Sequence, residues 1–266
     1  MEGRRILWAM ADRSASPAAR PRRSLRPPRW TVERFESIDS TNRWLLDAAR
    51  AGAAAGLVAV ADHQDAGRGR RGRSWESAPG ASLLVSVLLR PDLELEHVQL
   101  VTMAAALALA DAVLAVSSVD AGLKWPNDLV VGDRKLAGLL AEADVADGRV
   151  RALVVGAGCN LRQRKFPKEL ADLATSCFLE SGREPERDEV LAAYLERLGA
   201  QLDDPERVLA DYRARLVTLG RSVRVERERD TVVGIATDVD DRGRLVVSPP
   251  AREPVVIAAG DVVHLR

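Results

Sequence analysis

Residues 57–89 read LVAVADHQDAGRGRRGRSWESAPGASLLVSVLL. Two apolar runs in this stretch, 57–62 and 81–89, have the length and composition of buried strands. Between them lies Gly67-Arg68-Gly69-Arg70-Arg71-Gly72-Arg73, followed by Ser74-Trp75. Glycine opens backbone angles closed to other residues and lets a ligand approach the main chain. Arginine supplies a fixed fork of donors that matches phosphate and carboxylate oxygens. The segment therefore reads as a loop hung between two strands and closing over an anion. Its glycines leave much entropy to lose on ordering, so mobility is expected. It is not a Walker-type phosphate loop, because no Gly-Lys-Ser/Thr ends it. Nor does a dinucleotide fingerprint open a helix after it. A short arginine run is equally compatible with a solvated turn or an electrostatic nucleic-acid contact.

The flanks set the fold class. Upstream, residues 30–36 (WTVERFE) alternate like a short strand, and 37–42 (SIDSTN) carry helix-start oxygens before a helix at 43–51. Downstream, residues 100–116 (LVTMAAALALADAVLAV) suit a buried helix. That run includes Thr102 and Asp111 and falls short of the ~20 residues of a membrane span. Further β-type or apolar runs follow at 122–125, 129–131, 135–142 and 151–156, and then amphipathic helices at 188–202 and 205–216. Past residue 218 only short β-type runs remain, at 222–226, 231–239, 244–248 and 254–257, with a hairpin signal at Asp240-Asp241-Arg242-Gly243. The expectation is an α+β protein. A mixed β-sheet domain flanked by helices spans 30–218, a small β domain spans 219–266, and an Arg/Pro-rich flexible tail spans 1–29.

Composition narrows the function. Lysine plus arginine total 39 and aspartate plus glutamate total 39, so the arginines are a local feature and bulk coating of nucleic acid is disfavoured. Cys159 and Cys177 are too few for a disulfide framework or zinc site, and His63, His97 and His264 lack metal-ligand spacing. The start lacks the apolar core and cleavage site of a secretory signal. A cytoplasmic protein with no membrane association and reduced cysteines is expected.

A second motif is Lys124-Trp125-Pro126-Asn127-Asp128. Proline restricts the preceding tryptophan to extended backbone, and Asn127 and Asp128 project polar groups from a turn. Asp128 is a candidate to hold Mg2+, directly or through water. A plain Pro-Asn-Asp turn would look the same. Beyond it, Arg134-Lys135-Leu136-Ala137-Gly138 sets a lysine ahead of an apolar run, and Gly156-Ala157-Gly158-Cys159-Asn160-Leu161 ends a strand.

Taken in order, with Ser40-Thr41-Asn42 and Gln64 ahead of the arginine loop, these segments closely resemble the biotin protein ligases, in the form without an N-terminal DNA-binding domain. The resemblance covers roughly residues 35–161 by motif and extends loosely to the C-terminal β domain, which the family carries as an SH3-like barrel. It implies a catalytic domain that activates biotin with ATP to biotinyl-5′-AMP and passes biotin to a lysine of a biotin carboxyl carrier domain of an acyl-CoA carboxylase. By the same resemblance, Arg70 and Lys135 are the catalytic candidates. Ser40, Thr41, Asn42, Gln64, Arg68, Gly69, Arg70, Lys135, Gly138, Gly156 and Gly158 are expected around biotin. Arg68, Arg70, Arg71, Trp75, Lys124, Asn127, Lys135 and Asn160 are expected around the nucleotide. ATP with Mg2+ is the expected co-substrate, with no prosthetic group, no specific DNA binding, and a monomer or weak homodimer as the assembly. Two other readings are kept: a lipoate or octanoate ligase or transferase of similar catalytic fold, and a nucleic-acid-binding module using the arginine loop and the β domain.

Overall fold

The computed structural model describes residues 25–27 and 29–265. Its larger sheet is built from β1 (Thr31–Ile38), β2 (Leu57–Gln64), β3 (Ser82–Leu89), β4 (Gly122–Lys124), β5 (Asp128–Val131), β6 (Arg134–Ala146) and β7 (Arg149–Asn160). The strand order is β1-β2-β3-β7-β6-β5-β4. β1 and β2 run parallel and the other neighbours antiparallel, so the sheet is mixed, as expected.

The period-2 alternation of the central strands divides the core between two faces. On one face Val58, Val60, Val87, Leu153 and Val155 meet the helix α2 (Val98–Ser117). On the other, Ala59, Leu88, Ala152 and Val154 meet Leu45 and Ala49 of α1 (Thr41–Arg50). Leu95–Ser117 is long and apolar enough to cross a membrane. It is instead buried between the sheet and two helices, α4 (Arg187–Asp203) and α5 (Pro205–Arg215). A short helix, α3 (Cys177–Ser181), adds to the elements expected from the sequence.

Two strands outrun their apolar cores. The run 135–142 lies inside the thirteen-residue β6, and 151–156 lies inside the twelve-residue β7. The two pair along most of their length around a turn in which Asp147 and Gly148 both take positive φ, 53° and 74°. Polar residues such as Asp144 and Asn160 hide the strand ends from an apolar pattern.

The chain then forms β8 (Ser222–Glu226), β9 (Thr231–Val239), β10 (Leu245–Ser248), β11 (Val255–Ile257) and β12 (Asp261–His264). They make an antiparallel sheet in the order β11-β10-β9-β8-β12. Among the described residues no pairing joins β11 to β12, so the expected barrel is an open five-stranded sheet. Its buried residues Val223, Val225, Val239 and Leu245 belong to the same hydrophobic core as α2. The expected hairpin at 240–243 is present: Asp240 Oδ1 accepts from the amides of Arg242 and Arg244 at 3.0 and 2.9 Å.

The flexible-tail expectation needs correction at its end. Residues 1–24 and 28 lie outside the described residues, but 25–27 and 29 are placed. The Leu25 amide donates to the Leu202 carbonyl at 3.1 Å, and Arg26 pairs with Asp203 at 3.0 Å. Leu202 lies in the last turn of α4, where carbonyls lack helical partners, so an incoming chain supplies a donor. The Trp30 indole N–H likewise donates to the Leu195 carbonyl at 3.1 Å.

Candidate active site

A cavity of about 250 Å3 opens on the face of the larger sheet that carries α1. Its floor is β6 and β7, where Gly138 is paired with Gly158 and Leu140 with Gly156. Its walls are the start of α1, the arginine loop, the turn between β4 and β5, and β12.

One end is a hydrogen-bond network of hydroxyl and amide groups, anchored on one carboxylate. Ser40 caps α1, its hydroxyl accepting from the Arg43 amide at 3.5 Å. Gln64 Oε1 accepts from both the amide and the hydroxyl of Thr41, at 2.8 and 3.0 Å. Ser86 Oγ lies 2.7 Å from Thr41 Oγ1 and donates to Asn42 Oδ1 at 2.6 Å. Asn42 Nδ2 in turn donates to the Leu140 carbonyl at 3.1 Å and to Glu142 at 2.9 Å. Glu142 also pairs with Arg68 at 2.9 Å, tying this network to the loop. Gly156 makes the approach of Asn42 possible: a Cβ there would stand 2.1 Å from Asn42 Oδ1.

Two residues further along β7 the character changes. The Trp75 indole lies over Gly158 and Gly138, and Lys135 Nζ sits 5.7 Å from the ring centroid. Lys135 Nζ also pairs with Asp128 at 2.7 Å. Arg70 reaches inward, donating to Asn127 Oδ1 at 3.2 Å and to the Gly260 carbonyl at 3.4 Å. Asn127 is itself fixed, its Nδ2 bound to the Leu139 carbonyl at 2.5 Å. Burial lowers the pKa of Arg70, partly offset by Asp261 and Asp128. Burial also lowers the pKa of Lys124, with Asp128 opposing and Lys135 adding to the shift. These cations are held where solvent cannot fully screen them, the condition under which a fixed charge best stabilises an anion. Five cationic side chains and three carboxylates line the cavity, a surplus that favours an anionic ligand.

Of the residues expected at the site, Ser40, Thr41, Asn42, Gln64, Arg68, Gly69, Arg70, Trp75, Lys124, Asn127, Asp128, Lys135, Gly138, Gly156 and Gly158 line this one cavity. Two do not. Arg71, with φ 55°, turns outward to the Glu226 carbonyl and Asp261 at 3.0 and 3.3 Å. Asn160 is buried behind the sheet end, donating to the Thr175 carbonyl at 3.0 Å and accepting from Gln163 at 3.2 Å. The loop, expected to be mobile, is closed as a hairpin by Gly69 N–Arg73 O at 2.7 Å and Trp75 N–Gly67 O at 2.9 Å.

Three contributors lie outside the residues expected from the motifs. Ser86 is legible as the polar break inside SLLVSVLL, a fully buried strand that is otherwise apolar after Ser82. Glu226 and Asp261 belong to the distant C-terminal sheet and carry no local signal. Trp125, in the motif itself, does not face the ligand space with a free indole: its Nε1 donates to the Gly243 carbonyl at 3.0 Å, and a cis bond joins it to Pro126.

Asp128 is bound to Lys135, Asp261 to the loop arginines and the Glu226 carboxylate to Arg224, so the described residues form no multi-carboxylate cage here. The donor set fits Mg2+ only as an ion carried by a nucleotide, with phosphates and water completing its shell. The group Glu94, Glu96 and His97, the one cluster of potential metal ligands among the described residues, is outside the cavity lining.

The chain is similar to known proteins of one family. Residues 34–160 match the model of the biotin/lipoate A/B protein ligase family, and residues 218–265 match the biotin protein ligase C-terminal domain. The chain is 42% identical over 237 residues to the biotin–[acetyl-CoA-carboxylase] ligase of Mycobacterium tuberculosis, covering 85% of this chain and 86% of that protein. It is 33% identical over 231 residues to the ligase of the same name from Paracoccus denitrificans, covering 83% and 95%. Among solved structures, the biotin protein ligase of Aquifex aeolicus in complex with biotin and ATP superposes with a TM-score of 0.75 at 27% identity, covering 88% and 98%.

Proposed function

The chain belongs to the biotin protein ligase family, and on that premise we propose how its cavity carries out the ligase reaction. In the first step a biotin carboxylate oxygen attacks the α-phosphorus of ATP, forming biotinyl-5′-AMP and releasing pyrophosphate. Two anions meet, so the barrier is electrostatic, and the cation-rich end of the cavity suits it. Arg70 and Lys135 hold the carboxylate and the α-phosphate. Lys124, Asn127 and Arg68 serve the nucleotide side. Asp128 would hold a Mg2+ ion carried by the triphosphate, which would offset phosphate charge.

The hydroxyl and amide end suits the ureido ring of biotin, which offers N–H donors and one carbonyl acceptor to Ser40, Thr41, Asn42 and Gln64. Gly138 and Gly158 let the Trp75 indole, and Gly156 lets Asn42, pack directly on the strands, so these side chains border the ligand space. In the second step the amine of a carrier lysine attacks the biotinyl carbonyl, loses a proton and displaces AMP. The carrier we propose is the biotin carboxyl carrier domain of an acyl-CoA carboxylase, met in the cytoplasm by a monomer or weak homodimer. The closed arginine loop keeps water from the acyl-adenylate until then.

The observation that carries this reading is the polarity of one continuous cavity, neutral donors and acceptors at Thr41–Gln64–Ser86 and fixed cations at Arg70–Lys135, joined by a glycine floor. The test is ATP–pyrophosphate exchange with purified protein and Mg2+. Exchange that requires biotin is expected. Exchange supported by lipoate or octanoate but not by biotin would overturn it.

A further inference from the structure

The arginines of the loop are divided between two tasks. Arg70 points into the cavity, while Arg71 and Arg73 reach across to the C-terminal sheet and converge on one carboxylate. Asp261 Oδ2 accepts from Arg71 Nη1 at 3.3 Å and from Arg73 Nη2 at 2.5 Å. Beside it, the Glu226 carbonyl accepts from Arg71 at 3.0 Å and the Gly260 carbonyl from Arg70 at 3.4 Å. The three acceptors adjoin because β12 pairs with β8 so that Asp261 faces Glu226. The Asp261 side chain is only 17% exposed, against 41% and 68% for Arg71 and Arg73.

A lone surface ion pair adds little. Here one carboxylate, itself largely buried, takes two guanidinium groups beside two backbone acceptors, so its loss would free both loop arginines from the C-terminal sheet at once. The left-handed backbone of Arg71 aims that side chain outward and holds only where surrounding contacts impose it.

We propose that Asp261 is a positioning residue: it latches the arginine loop shut from the C-terminal sheet and thereby sets how long the acyl-adenylate stays in the cavity. The retention part rests on the ligase reading above. The closing part does not.

The test uses Asp261→Asn in the full chain, with two readouts. The first is the rate of trypsin cleavage within the loop, which offers Arg68, Arg70, Arg71 and Arg73 as sites, in the ligand-free protein. The second is the rate at which preformed biotinyl-AMP leaves. Both rates are expected to rise by roughly five- to tenfold, with Asp261→Glu restoring them. Arg73→Gln, which removes one cleavage site, is expected to reproduce the faster loss of biotinyl-AMP and the faster cleavage at Arg68 and Arg70, and the double variant to add little to either single change. If Asp261→Asn does not fold, Arg71→Gln with Arg73→Gln reads the same latch from the loop side, by loss of biotinyl-AMP and by cleavage at Arg68 and Arg70, the sites that remain. Wild-type cleavage and retention in these variants would overturn the proposal. Failure of the wild-type protein to form biotinyl-AMP would overturn the ligase reading instead, while the cleavage comparison would still decide the latch.

Discussion

The Trp75 indole lies across Gly158 of β7 so closely that a Cβ on that glycine would stand 2.5 Å from indole Cε2. The facing residue, Gly138 of β6, meets the same ring, with its built Cβ 3.3 Å from Cζ3. Two glycines paired across neighbouring strands leave a slot one aromatic ring thick. Here the arginine loop fills that slot with its own tryptophan, whose buried Nε1 has no hydrogen-bond partner among the described residues.

Gly158→Ala should push the indole off the floor. Overpacking of this kind costs about 1–3 kcal/mol, which, carried into ligand binding, corresponds to roughly thirtyfold weaker affinity in the middle of that range. Calorimetric titration of biotin and of ATP checks it. Wild-type affinities would mean that the seating of the indole on Gly158 does not matter to either ligand.

Lys135→Ala removes the cation that pairs with Asp128 at 2.7 Å and leaves that carboxylate facing incoming phosphate. One fixed donor at a developing charge is worth about 2.7–4 kcal/mol, so pyrophosphate exchange should slow by roughly 10²–10³-fold. An exchange rate within about twofold of wild type would remove Lys135 from the adenylation step.

For Arg70→Gly the expected change is leakage more than loss of chemistry. The inward guanidinium, tethered by Asn127 and Gly260, is the loop's direct hold on the ligand. Without it biotinyl-AMP should escape and label lysines of bystander proteins. Streptavidin blotting of a protein mixture reads this directly, and labelling confined to the carrier would count against the assigned role.

His264 gives a pH prediction. Burial, with help from Lys124 and Arg221 and against Asp133, pushes its pKa down from 6.5 to about 4. Its ring contacts Thr218 Oγ1 at 3.3 Å and Arg221 Nη1 at 3.1 Å. Below pH 6.5 the unfolded chain takes up a proton that the folded chain refuses, so stability from this group is full above that value and falls as pH drops toward about 4. Melting temperature measured across this window should fall less steeply for His264→Gln than for the native protein. Parallel curves would show that His264 does not titrate differently on folding.

Much of the site is legible in the chain's local patterns. The arginine loop, the KWPND turn and the glycines of β6 and β7 are short motifs whose chemistry follows from residue type. The α+β class follows from two buried strands flanking the loop and from a helix too apolar to face water. Asn160 and Arg71 show the limit. Each sits in a motif, but a side chain's direction depends on its backbone angle and its neighbours, and both turn away from the cavity.

By itself, then, the sequence determined which residue types the cavity holds and the order in which they come along the chain. The tertiary structure alone decided that Asp261 and Glu226 close the loop. Arg73 and Asp261 are 188 residues apart, and the contact exists only because the C-terminal sheet shares one hydrophobic core with the larger sheet. Local pattern reports propensity and chemistry within a few residues, whereas packing sets which distant surfaces meet.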